Sequence, residues 1–205
     1  MFDALALISI IFTMFLLKTI VEILPSVVAC LIRWKENINI ESSVRLSRDR
    51  DFSAIAMLLP FCLLAFRFRV YNPSFIANLP DSSRLWAVIG VFAAYLIARK
   101  TTSLLVHPRR VPQKTLAAAE KSANTFFIFL TLILLLVGSV CSFFDASLNA
   151  IRVTSVWLSA LIYGVYLVRK LQIFASSCSI FTAFLYLCAL EILPTGILVV
   201  SDIIF

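Results

Sequence analysis

Long apolar stretches alternate with short polar ones along the chain, at about 2–32, 52–71, 85–106, 125–144, 153–170 and 178–203. The clearest, TFFIFLTLILLLVGSVCSFF at 125–144, carries no charge over 20 residues. That is enough helix to cross a hydrocarbon core of about 30 Å. The apolar parts of two others, 52–66 and 85–98, end early at Arg67 and Arg99. Basic side chains lay their aliphatic stems along apolar surface, so Arg67, Arg69, Arg99 and Lys100 can extend these spans toward an interface. The pattern predicts an all-α polytopic membrane protein, six transmembrane helices in one domain covering 1–205.

Composition supports the bilayer as solvent. Hydrophobic residues make up 61%, charged residues 14%, and mean hydropathy is +1.01. A soluble domain has about 45–50% apolar and about 25% charged residues, so one buried core cannot absorb the surplus. Net charge is +7, but no clustered basic-aromatic pattern accompanies it, and nucleic acid is not an expected partner. The basic residues are instead distributed by loop. The first loop (Arg33, Lys35, Arg45, Arg48, Arg50), the third (Arg99, Lys100, Arg109, Arg110, Lys114, Lys121) and the fifth (Arg169, Lys170) hold 13. The second and fourth hold four: Arg67, Arg69, Arg84 and Arg152. The positive-inside rule then places the odd loops in the cytoplasm and both termini on the external, periplasmic side.

Smaller features fit this frame. Trp34, Trp86 and Trp157 fall at span ends, where amphipathic rings settle at the headgroups. Gly90-x-x-x-Ala94, Gly138-x-x-x-Ser142 and Ala160-x-x-x-Gly164 allow close helix contact. The opening MFDALALISII lacks a basic leader, so its run is read as a retained span. Five cysteines without a CxxC pair read as small buried residues. Loop RWKENINIESSVRLSRDRD is expected along the interface, and Pro112 to open a helix that runs into the fourth span.

Catalytic signatures are absent. The chain has no HExxH, GxSxG or GxxxxGK[ST] motif and no carboxylate pair suited to glycoside chemistry. The single histidine, His107 in VHPRR, reads as interfacial, and the DRD at 49–51 as a solvated charge cluster. Asp3, Asp81, Asp145 and Asp202 are scattered near span ends. No metal or cofactor is expected.

The charges inside spans are Lys18, Glu22 and Glu191, and both glutamates open the tetrapeptide EILP. Lys18 and Glu22 are four apart on one helix face, so they are expected to pair. Glu191 has no cation within four residues. It lies 13 residues beyond Cys178, about 20 Å along an ideal helix. Glu22 is 11 residues before Arg33, about 17 Å, so both acids sit deep in the hydrocarbon. An intramembrane charge normally faces the bundle interior and has a partner. Lys18, or an inward-reaching Arg99 or Arg67, could serve Glu191. Pro25 and Pro194 free the carbonyls of Val21 and Leu190, each beside a glutamate, and Pro60 is another breaker within a span. Ser26 and Thr195 can bond back to freed carbonyls. Carboxylates beside such carbonyls hold Na⁺ or H⁺ in many transporters. The bland alternative is a paired Glu191 that ties helices together.

Three stretches, LLPFCLLAFRFRVYNPSF at 58–75, YLIARK at 95–100 and FLYLCALEILPTGILV at 184–199, together resemble an uncharacterised family of multi-pass inner-membrane proteins from Bacteroidota, defined as a domain of unknown function. The resemblance implies the cytoplasmic membrane of a diderm bacterium and implies no activity.

Three functions follow as expectations. The leading one is a non-enzymatic membrane protein, an accessory or assembly component of an envelope complex. The second is a small proton- or cation-coupled transporter using Glu191 with Glu22 and Lys18. The third is an intramembrane lipid-modifying enzyme, which would need Glu191, Arg67, Arg69 and Tyr71 to converge. The expected partners are the lipid bilayer and either other membrane proteins or further copies of the chain.

Overall fold

The computed structural model describes residues 2–105 and 112–204. His107, Arg109 and Arg110 lie outside the described residues, as do the side chains of Asp3, Asp81 and Lys114. The elements in order are α1 (Phe2–Ile32), α2 (Trp34–Ser42), α3 (Val44–Ala56), α4 (Leu58–Arg67), α5 (Ser74–Ala77), α6 (Asp81–Leu105), α7 (Gln113–Phe143), α8 (Leu148–Ala175), α9 (Ile180–Leu187), a π-helical turn (Cys188–Ile192) and α10 (Leu193–Ile204). No strand occurs among the described residues.

Five segments are long and apolar enough to cross a membrane: Leu7–Ile32, Ser83–Ser103, Thr115–Phe143, Leu148–Ala175 and Ile180–Asp202. Only 11% to 28% of each is buried within the protein. The apolar surface so left, Phe15 and Phe143 among it, would be untenable in water and suits lipid.

The sixth expected span, near 52–71, is divided at Met57 into α3 and α4. Pro60 is the physical reason, since it has no N–H to offer the Ala56 carbonyl. The ladder resumes on both sides of the break, with Met57 N–H to Ser53 O at 2.9 Å and Phe61 N–H to Met57 O at 3.1 Å. Together α3 and α4 make a kinked leg. It packs antiparallel to α1, with Ala54 beside Ile23 and Val27 and Met57 beside Leu16 and Ile20. It is also antiparallel to α6, with Phe61 against Phe92 and Ala65 against Val88. Pro25, by contrast, leaves α1 unbroken; its cost is one hydrogen bond and a ring to accommodate.

The longest helices, α1 and α7, begin at opposite ends of the bundle. Helix α7 is the hub, touching α1, α2, α3, α4 and α8. Pro112 precedes its first turn, where a missing N–H is harmless. At its far end a Cβ on Gly138 would fall 2.6 Å from the Phe68 ring, so the small residue admits that ring. Ser147 and Ser179 cap α8 and α9, accepting from the N–H groups of Ala150 and Thr182. Arg169 Nε donates to the Leu31 carbonyl at 2.9 Å, serving a backbone group orphaned at the end of α1. At the opposite end Tyr71 bonds Ser201 at 2.7 Å and the Asn72 N–H donates to Asp202 at 2.7 Å. Helix α10 thus runs antiparallel to α6, and the start of α1 and the end of α10 lie at the same end of the bundle.

Candidate functional site

Glu191 sits in the π-helical turn, almost fully buried at 1% exposure. Its Oε1 accepts from Arg99 Nη2 at 2.8 Å, from Arg99 Nε at 3.2 Å and from Lys170 Nζ. Tyr166 presents its hydroxyl to both cations. Its hydroxyl accepts from Arg99 Nη2 at 2.8 Å and from Lys170 Nζ at 3.2 Å. Tyr163 donates to the Glu191 carbonyl at 3.1 Å, and Tyr95 bonds Thr195 at 3.1 Å.

Each side chain is set by its element. Tyr163, Tyr166 and Lys170 follow at i, i+3 and i+7 on α8, which puts them on one face. Arg99 reaches across from α6. The π-helical turn is fixed by a bond from the Leu193 N–H to the Cys188 carbonyl and is followed by Pro194, which has no N–H to give. Tyr166 lies nine residues before the end of α8 at Ala175, about 14 Å along an ideal helix. Two basic side chains face one carboxylate. Glu191 Oε2 is buried with no hydrogen-bond partner among the described residues.

The sequence placed Glu191 in the interior and Arg99 within reach of it, and the fold brings these two together. Glu22 and Lys18 are not part of the site. Glu22 is 44% exposed and accepts from Arg45 on α3 at 3.0 Å; the expected Lys18 pair is replaced because α3 returns antiparallel along α1. Lys18 is exposed and forms no ion pair among the described residues. Arg67 and Arg69 are exposed at the far end of α4. Tyr71 is tied to Ser201, ten residues beyond Glu191 and about 15 Å along the helix. Glu191, Arg67, Arg69 and Tyr71 therefore do not converge. The expected patch of free oxygens beside Pro194 is also different: the neighbouring cations are the protein's own, and Thr195 turns to Tyr95 instead of back onto its helix.

Nothing in the local sequence marks Lys170, Tyr166, Tyr163 and Tyr95 as neighbours of Glu191. Lys170 looked like a loop residue after an apolar run ending at 170. The signal was the apolar LQIFA that follows it, which continues α8 to Ala175 and draws Lys170 inside.

A second cluster lies where α2, α3 and α7 meet, toward the end of the bundle rich in basic residues. Arg50 is 1% exposed and donates through Nη2 to Glu41 at 3.1 Å and to Asp51 at 2.8 Å. Lys121 reaches Glu41 at 2.8 Å and Asp51 at 3.4 Å, and Asn124 donates to Asp51 at 3.0 Å. The DRD stretch is thus not a purely solvated cluster: Asp49 faces Arg45 and Arg48 outside, while Arg50 turns in. Two cations and two carboxylates balance here. No group of three or more metal-ligating side chains occurs among the described residues.

Both carboxyls of this second cluster lie below the usual carboxylate range. Burial alone would raise them. At Glu41 it is outweighed by hydrogen bonds from Lys121 and Arg50, and at Asp51 by those from Asn124 and Arg50 with the Arg50 charge. A carboxyl depressed in the folded state contributes stability that is complete above its unfolded pKa of about 4 and is lost as pH falls through its lower folded value. The thermal midpoint of the purified protein is therefore expected to be flat down to about pH 5 and to fall below about pH 4. The double variant Glu41→Gln with Asp51→Asn should lose part of that acid limb; an unchanged limb would remove these two groups as its source.

No family model, no curated protein and no solved structure matches the chain.

Proposed function

We propose that this chain is a non-catalytic integral membrane protein, an accessory or assembly component of a complex in the inner membrane of a diderm bacterium, with its basic end in the cytoplasm. The observation that carries this is the enclosure of Glu191. A coupling carboxylate must meet water or a substrate during a cycle, whereas Glu191 is 1% exposed and held by two cations from two other helices. Such a cluster costs much to open and is suited to fixing α6, α8 and α9–α10 in one arrangement. The loop bias of Lys and Arg supports the orientation, and the Bacteroidota resemblance supports the location. Mild solubilisation of native membranes followed by affinity purification tests the reading. A stoichiometric partner protein is the expected result; recovery of the chain alone across several mild detergents would overturn it.

A proton- or ion-coupled transporter is the second reading. The unpartnered Glu191 Oε2 and the π-helical turn beside it favour it, because π-helical turns gather at functional sites. Flux driven by a pH gradient in proteoliposomes, lost in Glu191→Gln, would support it.

A further inference from the structure

The Glu191 cluster holds one basic side chain more than it has carboxylates, and it reaches the surface at one place. Lys170 is 2% exposed, whereas the Arg99 side chain is 21% exposed. Arg99 uses Nε and Nη2 within the cluster, and its Nη1 has no partner among the described residues. From Ala94 to Ser103 most residues of α6 are exposed; this half of the helix packs on the π-helical turn and α10 and meets α8 and α7 through side chains, Arg99 to Tyr166 and Ser103 to Glu120. Glu120 lies within electrostatic range of Lys170, but it is exposed and bonded to Ser103, so water screens it. The polar residues Lys100 to Ser103 on α6 and Glu120 to Lys121 on α7 mark the interface, one helical turn from Arg99.

A cluster with one basic side chain more than it has carboxylates calls for an anion that can approach along the membrane plane. A guanidinium with a free N–H edge matches phosphate geometry. Basic openings between spans on the cytoplasmic side are where anionic headgroups dock. We infer that Arg99 holds the phosphate of an anionic phospholipid seated against the exposed face of α6, and that this lipid neutralises the Glu191 cluster.

The full chain in nanodiscs containing spin-labelled phosphatidylglycerol or phosphatidylcholine tests this. The wild type is expected to restrict phosphatidylglycerol over phosphatidylcholine by roughly fivefold. Arg99→Gln should abolish that preference, since it leaves a neutral Lys170–Glu191 pair and should still fold. Lys100→Gln removes the same charge one residue away and should retain most of the preference. Equal restriction of both lipids by the wild type overturns the inference, whether or not Arg99→Gln can be recovered. So does an equal loss in the two variants, which would assign the effect to the basic end in general. Complete displacement of phosphatidylglycerol by inorganic phosphate would assign the site to a free anion and overturn it as well.

Discussion

Glu191→Gln is expected to destabilise the protein by about 3 kcal/mol, whereas Lys170→Met costs about 1 kcal/mol or less. The asymmetry follows from charge. Removing the carboxylate leaves Arg99 and Lys170 facing each other in a low-dielectric setting with no counter-ion, and breaking a buried pair costs far more than the pair contributes. Removing Lys170 leaves Arg99 and Glu191 bonded through two nitrogens to one oxygen, a neutral unit. Thermal unfolding in one detergent measures both, with a drop on the order of 10 °C expected for Glu191→Gln. The double variant should recover part of the loss, because Arg99 alone can turn its head toward the interface. Equal losses in the two single variants would show that charge imbalance does not govern the site.

Arg50→Gln is expected to cost about 2–3 kcal/mol, and Arg45→Gln less than about 1 kcal/mol. Both arginines make ion pairs in the same loop, so counting bridges would rank them alike. Their surroundings separate them. Arg50 is 1% exposed and bridges Glu41 at the end of α2 to Asp51 on α3. Without it two partly buried carboxylates share Lys121 alone. Arg45 is 74% exposed, so water replaces most of what it gives to Glu22. Denaturation of the two variants side by side measures the difference, and a larger effect at Arg45 would mean that the α1–α3 contact matters more than the α2–α3–α7 junction.

Much of the architecture could be read from sequence because hydrocarbon is an unforgiving solvent. Every span must satisfy its own backbone, so the run at 125–144 had no option but helix, and α7 covers it. The boundaries were less legible. Helix α7 starts just after Pro112, as its alanine-rich stretch led one to expect, but α8 extends beyond its apolar run at both ends, because mixed segments continue a helix at no great cost once it is nucleated. That continuation draws Lys170 inside the fold. The Met57 break came from Pro60, a residue visible in the sequence whose effect depends on how the neighbours pack. The Lys18–Glu22 spacing pointed to a local pair, but spacing records only what a helix permits. It cannot include Arg45, which arrives from a segment 23 residues away. Likewise nothing local to Glu191 indicates Arg99, 92 residues earlier.

The turn at Cys188–Ile192 has a geometric consequence for the last span. A π-helical turn accommodates one residue more than an α-helix would over the same rise, and each residue of an α-helix advances the side chains by about 100°. The two halves of the span therefore keep different angular frames. In the first, Ala183 and Leu187 are buried, with Ala183 among Phe174 and Ala119. In the second, Thr195, Leu198 and Ser201 meet Tyr95, Val88 and Tyr71. A single continuous α-helix would keep one phase from end to end. The extra residue works as a phase shifter: it lets one rod of helix present one side to α8 and another to α6, with Glu191 at the join where both are within reach.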